Sequence, residues 1–409
     1  MDSRRIVLLG ATGFTGRRVL RELLARGETP TLVGRDRARL LALAEHHRAE
    51  LPVAEADATS AADLARIFTG DDVVVSTVGP FARLGKPTIT AAAEAGAHYL
   101  DSTGEPPFIR QAFTLDALAA ARGATLVPAF GYDYVPGNLA GALALTEAGD
   151  RARRVEIGYF LTRSGGGRSG GGRSGHGSEL RYRSTLRDAF TLTTGATRAS
   201  LVGAAVEDAF AHRRPRTGGP ARLVDERTGA RLLTFRYAGI TRTALTVGGS
   251  EHLGLPETFP HLDGVDVGLG WLGRTTRLVQ ATTTLTAPLL RTPAVRRSLT
   301  RLSQHLPGSA REPDPDGRAL VLAVARDAAG RALATTALTG PDPYEMTASL
   351  LAWGAARAAS PDAALTPGVH GPVAAFGLDA LTRGAAEAGL HPAGRTAVSD
   401  PHAPGGPQG

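Results

Sequence analysis

Gly10, Gly13 and Gly16 stand three residues apart in the run Gly-Ala-Thr-Gly-Phe-Thr-Gly at 10–16, directly after the apolar stretch Ile6 to Leu9. Glycine there lets the backbone turn sharply and approach a phosphate, and N–H groups at the start of a following helix can hold the anion. A strand before this spacing and a helix after it point to a dinucleotide rather than to a purely structural turn. Thr12, Phe14 and Thr15 complete the candidate loop. Arg35 follows the apolar run Thr31 to Val33, where an NAD site would place a carboxylate for the ribose hydroxyls. A guanidinium suits a 2′-phosphate and favours NADP(H), which leaves Asp36 to cap the next helix. Asp57 is a candidate for the adenine edge or, equally, a helix cap. Val78, Gly79 and Pro80 close the most β-branched run of the chain, and Gly79 would let that loop pass near a nicotinamide ribose. The competing reading of that loop is a proline-braked turn.

Hydride transfer places little demand on the protein beyond positioning and a proton donor. Tyr132, Asp133 and Tyr134 follow the last apolar run of the first third, at the edge where ligands sit in an open sheet. Asp133 is the candidate for orienting the cleft, with helix capping as its structural alternative, and Tyr134 is the candidate proton donor. Asp101 and Glu105 lie at the same edge, with loop bracing as the plainer role. The chain has one lysine, Lys86, with no tyrosine four residues upstream, so short-chain dehydrogenase chemistry is not expected. With no cysteine, and with His46 and His47 adjacent on a helix, no metal site is expected either.

These residues need a scaffold, and apolar runs alternate with amphipathic stretches six times between residues 5 and 127. The strand candidates are Ile6–Leu9, Thr31–Val33, Pro52–Ala54, Val73–Thr77, His98–Leu100 and Ala124–Val127. Helices are expected over Phe14–Arg26, Arg37–Glu50, Ala61–Phe68, Thr88–Ala95 and Phe108–Ala121. The expected fold class is α/β, a Rossmann-type doubly wound parallel sheet, followed by a second α+β substrate domain. Beyond Pro136 the alternation stops. Strands are expected over Val155–Leu161, Leu232–Tyr237, Arg318–Ala325 and Ala332–Leu338, and helices over Asn138–Glu147, Leu180–Ala189, Thr197–Ala209 and Tyr344–Ala359.

Several motifs in order carry a family resemblance. They are Gly-Ala-Thr-Gly-Phe-Thr-Gly-Arg at 10–17, Gly-Pro-Phe-Ala-Arg-Leu-Gly at 79–85, His-Tyr-Leu-Asp-Ser-Thr-Gly-Glu at 98–105 and Pro-Ala-Phe-Gly-Tyr-Asp-Tyr-Val-Pro-Gly at 128–137. With Gly340 to Tyr344, Thr347-Ala348 and Val369 to Gly377, the chain resembles the saccharopine dehydrogenase-like oxidoreductases, especially the bacterial branch of the trans-acting enoyl reductases. The resemblance implies NADP(H) and a reduction. It also implies that residues 1–135 form the Rossmann domain, completed by 344–390, with 136–343 as substrate domain. The chain departs from the pattern where a glycine is missing between Pro343 and Tyr344, and where Tyr132 and Tyr134 replace Phe and Ser.

The substrate expectation is a small molecule or acyl thioester, held on a carrier protein in one reading. The bond reduced is C=C (enoyl) or C=N, in an acyl, polyketide, lipid or amino-acid-derived compound. The alternative is a non-catalytic NADP(H) sensor or partner-binding protein. A net charge of +7 over 409 residues, carried almost wholly by arginine, reads as base composition rather than nucleic-acid binding. No apolar run is long enough to span a membrane, so a cytoplasmic protein is expected. The arginine-dotted stretch 268–307 would allow peripheral contact with the inner membrane face, although helices covering a sheet explain it as well. Residues 163–178, half of them glycine, read either as a mobile basic lip for a phosphate or as a tolerated linker, and 391–409 as a disordered tail.

Overall fold

The structure is a computed structural model that describes residues 3–164, 180–182, 208–215, 219–281 and 316–393. The glycine-rich stretch from 165 to 179, residues 183–207, the 282–307 part of the arginine-dotted stretch and the tail from 394 lie outside the described residues. The chain divides into two compact units. One comprises Met1–Leu139, Gly249–Thr258 and Tyr344–Gly389; the other comprises Ala140–Gly248, Phe259–Pro343 and Leu390–Gly409.

The first unit is a Rossmann-type doubly wound sheet. Its strands are β1 (Arg5–Leu9), β2 (Thr31–Gly34), β3 (Val53–Glu55), β4 (Asp72–Ser76), β5 (His98–Asp101), β6 (Thr125–Val127) and, late in the chain, β16 (Gly368–Val369). They lie in the order β16-β6-β5-β4-β1-β2-β3, every pair parallel. The order reverses between β1 and β4, the switch point where such sheets bind ligands. Val73, Val74 and Val75 of β4 are fully buried, as continuous apolar strands covered on both faces must be.

The helices are α1 (Phe14–Ala25), α2 (Arg37–His46), α3 (Ala61–Ile67), α4 (Phe81–Ala95), α5 (Pro106–Phe113), α6 (Asp116–Arg122) and α7 (Val135–Ala148). Later come α8 (Glu251–Thr258), α9 (Pro343–Ala359), α10 (Pro372–Phe376) and α11 (Leu378–Glu387). Asp36 caps α2, accepting from Arg39 N at 3.0 Å, and Ser60 caps α3. The periodicity misplaces several boundaries, the end of α2 at His46 rather than Glu50 among them, and two have a visible cause. Helix α4 starts at Phe81, seven residues earlier than expected, because a carboxylate from a distant segment satisfies its first N–H groups. The stretch expected as one helix over Phe108–Ala121 breaks at Thr114, whose hydroxyl and N–H both turn back to Gln111 O, at 2.6 and 3.0 Å.

The second unit holds a mixed ten-stranded sheet, in keeping with the α+β expectation. Its strands are β7 (Arg154–Ser164), β8 (Leu180–Tyr182), β9 (Asp208–Arg213), β10 (Arg222–Arg227), β11 (Leu232–Tyr237), β12 (Ile240–Thr246), β13 (Gly264–Leu269), β14 (Gly317–Arg326), β15 (Ala332–Gly340) and β17 (His391–Pro392). β13 runs parallel to β7 through Gly264↔Arg154 to Leu269↔Tyr159, and β14 runs antiparallel on the other side of β7. Leu180–Tyr182 and Asp208-Ala209, expected as helix, are strand. His391 and Pro392, expected in the tail, pair with Thr339 and Leu338. Partner strands rather than local periodicity decide these segments.

Candidate functional site

The loop Gly10–Gly16 connects the end of β1 to α1. Gly10 has φ +88°, and a Cβ there would stand 2.8 Å from Thr77 Oγ1 and Val78 Cγ2. The end of β1 and the loop after β4 therefore pack against each other only because this residue is glycine. Gly16 is buried, and a Cβ on it would fall 2.8 Å from the Gly10 carbonyl carbon and 2.9 Å from Ala11 Cα. Gly13 differs: it is exposed, and a Cβ there would meet only Gly10 O, at 3.2 Å. Gly13 is also the N-cap of α1, where no side chain caps the helix and no acidic residue occupies the first turn. This open helix start fits the pyrophosphate of a dinucleotide, since its N–H groups and the helix dipole favour an anion. Thr12, Phe14 and Thr15 are half-buried there, and Phe14 packs edge-on against Tyr344 at 5.1 Å.

Arg35 is exposed directly beyond β2, and Asp57 lies after β3. Asp57 is not a helix cap. It accepts from Thr59 N at 2.8 Å and Thr59 Oγ1 at 2.7 Å, and these bonds, helped by Arg35, hold its carboxyl below the usual range. Val78 is half-buried, whereas Gly79 and Pro80 are exposed. A Cβ at Gly79 would meet nothing tighter than the Phe81 ring at 3.5 Å, so the protein leaves room beside this loop.

The segment 101–105 ties that loop to the candidate catalytic residues. Glu105 accepts from Phe81 N at 2.7 Å and Ala82 N at 2.9 Å, capping α4 across 23 or 24 residues of sequence. Tyr134 Oη donates to Gly104 O at 3.2 Å. A Cβ at Gly104 would lie 2.5 Å from Asp133 Oδ2, so the glycine makes space for this carboxyl. Asp101, fully buried, accepts from Thr103 N at 2.9 Å and Ala129 N at 2.8 Å, while its carbonyl accepts from Phe130 N at 2.7 Å. It thereby holds Ala129 at φ +61°, a conformation few non-glycine residues adopt. Asp101 and Glu105 thus do brace the loops.

Asp133 is half-buried, and its carboxyl makes no hydrogen bond among the described residues, so it does not cap α7. Burial pushes its pKa up to about 6. Burial does the same to Asp101, to about 6, against the pull of its two N–H donors. Tyr134 is 6% exposed. Burial first, then Asp133, Glu251 and Glu105, raises its phenol well above 10, which keeps the proton on at neutral pH.

Glu251 and Ser250 escaped the sequence reading. Glu251 is fully buried at the start of α8, and Ser250 Oγ accepts from Asn138 Nδ2 at 2.9 Å. The pair is 112 residues apart, and no local pattern marks such a contact. Among the described residues no group of three His, Asp or Glu could hold a metal, and no helix is long and apolar enough to cross a membrane.

Residues 10–100 match the NAD(P)H-binding family model. Over 93% of this chain and 96% of its own, apo saccharopine dehydrogenase (L-Glu forming) from Saccharomyces cerevisiae superposes with a TM-score of 0.54 at 14% identity. Residues 10–100 thus form an NAD(P)H-binding domain, and the chain has the fold of saccharopine dehydrogenase. In sequence it is related to the trans-acting enoyl reductases. That of Mycobacterium ulcerans is 39% identical over 140 residues, and that of Mycobacterium tuberculosis H37Rv 38% over 140 residues, in each case 33% of this chain and 34% of the relative. A candidate enoyl reductase of the same M. tuberculosis strain is 42% identical over 141 residues, 33% of each chain. The match therefore spans about a third of the length of these curated relatives.

Proposed function

We propose that the protein is an NADPH-dependent reductase of a C=C (enoyl) or C=N bond, acting on an acyl or amino-acid-derived substrate. The observation that carries this reading is the uncapped start of α1, reached through a loop of three glycines at the switch point of a parallel sheet. Bound NADPH would supply a hydride, and reduction is completed by a proton. In this reading the reacting bond lies between the loop Val78–Phe81 and the turn Gly131–Pro136. Asp133 orients the bound substrate as a hydrogen-bond partner, and Tyr134 donates the proton to the developing enolate or amine. Glu105 fixes the first loop by capping α4, and Gly104 O holds the Tyr134 phenol in place. Gly10, Gly13, Gly16 and the residues between them hold the pyrophosphate. Arg35 meets the 2′-phosphate, and Asp57 the adenine edge.

The relatives' name supports an enoyl substrate presented by a second protein, so acyl thioesters on a carrier are the first class to test. NADPH absorbance should fall when enoyl thioesters, free or carrier-bound, are added to the purified protein. NADPH binding without oxidation by any enoyl or imine substrate would overturn the reductase reading.

A further inference from the structure

Helix α8 is held along its whole length. Just before it, Ser250 Oγ accepts from Asn138 Nδ2 at 2.9 Å. Gly249 leaves room there for Tyr134 and Glu251, since a Cβ on it would stand 3.1 Å from Tyr134 Cε1 and overlap Glu251 Oε2. Midway, Gly254 meets Gly371 backbone to backbone. A Cβ on Gly254 would lie 2.9 Å from Gly371 Cα and 3.0 Å from Asn138 Oδ1. At the far end, Glu257 reaches the segment between β16 and α10. Its Oε2 accepts from Gly371 N at 3.2 Å, and its Oε1 pairs with His370 Nδ1. Toward the ring's other nitrogen, a Cβ at Gly368, whose φ is +137°, would stand 2.7 Å from Asp116 Oδ1 and 3.0 Å from His370 Nε2. Asp116 is itself fixed, accepting from Val369 N at 2.9 Å. The His370 side chain, 13% exposed, is thus flanked by two carboxylates, Glu257 of α8 and Asp116 of α6. All of these residues belong to the first unit.

We propose that His370 is a positioning residue for the Tyr134 site: as an imidazolium it clasps Glu257 and holds α8 so that Glu251 stays against Tyr134. Glu251 precedes Glu257 by six residues, about 9 Å along the helix, so α8 connects the clasp to the phenol. The proposal rests on the reading of Tyr134 as proton donor and makes that role depend on pH. The hydrogen bond with Glu257 raises the pKa of His370 above the usual 6.5. Burial opposes it, while the charges of Glu257 and Asp116 and the Pro367 carbonyl assist. With the folded-state pKa raised, the clasp is complete below 6.5 and is lost as pH rises through the folded value. Loss of the proton leaves Glu257 its bond from Gly371 N, so α8 loosens without leaving.

The test follows the His370 imidazole and the Tyr134 ring by NMR, and α8 by amide hydrogen exchange, in wild type, His370→Gln and Glu257→Gln. Exchange in the core strand β4 serves as reference, because exchange itself is base-catalysed. Between about pH 6 and about pH 9, wild-type protection of α8 should fall about three- to tenfold relative to β4, the effect of losing a half-exposed charge-assisted bond. The midpoint should coincide with the titration of His370, and the Tyr134 ring resonances should shift with it. Both variants should hold α8 at the wild type's high-pH level throughout, with no such step at Tyr134. With an enoyl thioester, wild-type kcat should fall through the same window at unchanged KM for NADPH, and neither variant should show that step. Protection of α8 that ignores pH, or keeps its step in both variants, would overturn the clasp. A step in α8 that reaches neither the Tyr134 resonances nor kcat would overturn the positioning role. A protein that turns over no enoyl or imine substrate would bring down the reductase reading, while the Tyr134 resonances still decide whether His370 positions that residue.

Discussion

Gly13 and Gly16 are three residues apart in one motif, yet their substitution should have opposite signatures. Gly13 has φ −75° and ψ 174°, values any residue adopts, and a Cβ there meets only Gly10 O at 3.2 Å. Gly13→Val should therefore cost about 1 kcal/mol or less, because it adds no backbone strain and replaces no side-chain cap. In a chain of this size that lowers the thermal midpoint by no more than about 4 °C. The valine would, however, stand over the open first turn of α1, where the pyrophosphate must approach, so NADPH affinity should collapse. Gly16 is enclosed by backbone at 2.8 and 2.9 Å, and backbone cannot rotate aside as a side chain does. Gly16→Ala should cost about 1–3 kcal/mol, the range for overpacking, and lower the midpoint by several degrees. Calorimetric or fluorescence titration with NADPH, run beside thermal denaturation, separates the two effects. A folded Gly13→Val protein with wild-type NADPH affinity would refute the reasoning, because the phosphate would then lie elsewhere.

Arg35→Ala should weaken NADPH by about 1.5–3 kcal/mol and leave NADH nearly unchanged in the same titration. Tyr134→Phe should lower turnover about 10²–10⁴-fold at unchanged NADPH affinity in a steady-state assay with the true substrate; wild-type turnover would remove Tyr134 from the mechanism. Glu105→Ala strips two charge-assisted bonds from the start of α4 and should cost about 2 kcal/mol in a denaturant titration. Asp101 is a carboxyl whose folded pKa is raised, from 3.8 to about 6, so the folded state binds the extra proton and stability falls as pH rises through that window. The shift corresponds to about 3 kcal/mol, and Asp101→Asn should flatten the pH dependence of unfolding between pH 4 and 6 by up to that amount.

The sequence by itself determined the parallel sheet. Continuous β-branched runs such as Val73–Val75 can only be strands buried on both faces, and the helix-period stretches between them force parallel connections. The glycine loop was legible for the same kind of reason, since Gly10 at φ +88° and Gly16 against backbone leave no choice of residue. Asp36 as a cap could be read from one residue type in front of one helix. Local pattern could not supply partners brought from far along the chain. The start of α4 depends on Glu105, the seventh strand of the sheet is only Gly368-Val369, and the surroundings of Tyr134 include Glu251 from a segment more than a hundred residues on. In the second unit, too, a short segment such as His391-Pro392 becomes a strand only because β15 offers an unpaired edge. Periodicity records which face of an element is apolar. Capping, pKa and edge pairing depend on which groups the fold brings within about 3 Å, and only the tertiary structure decides that.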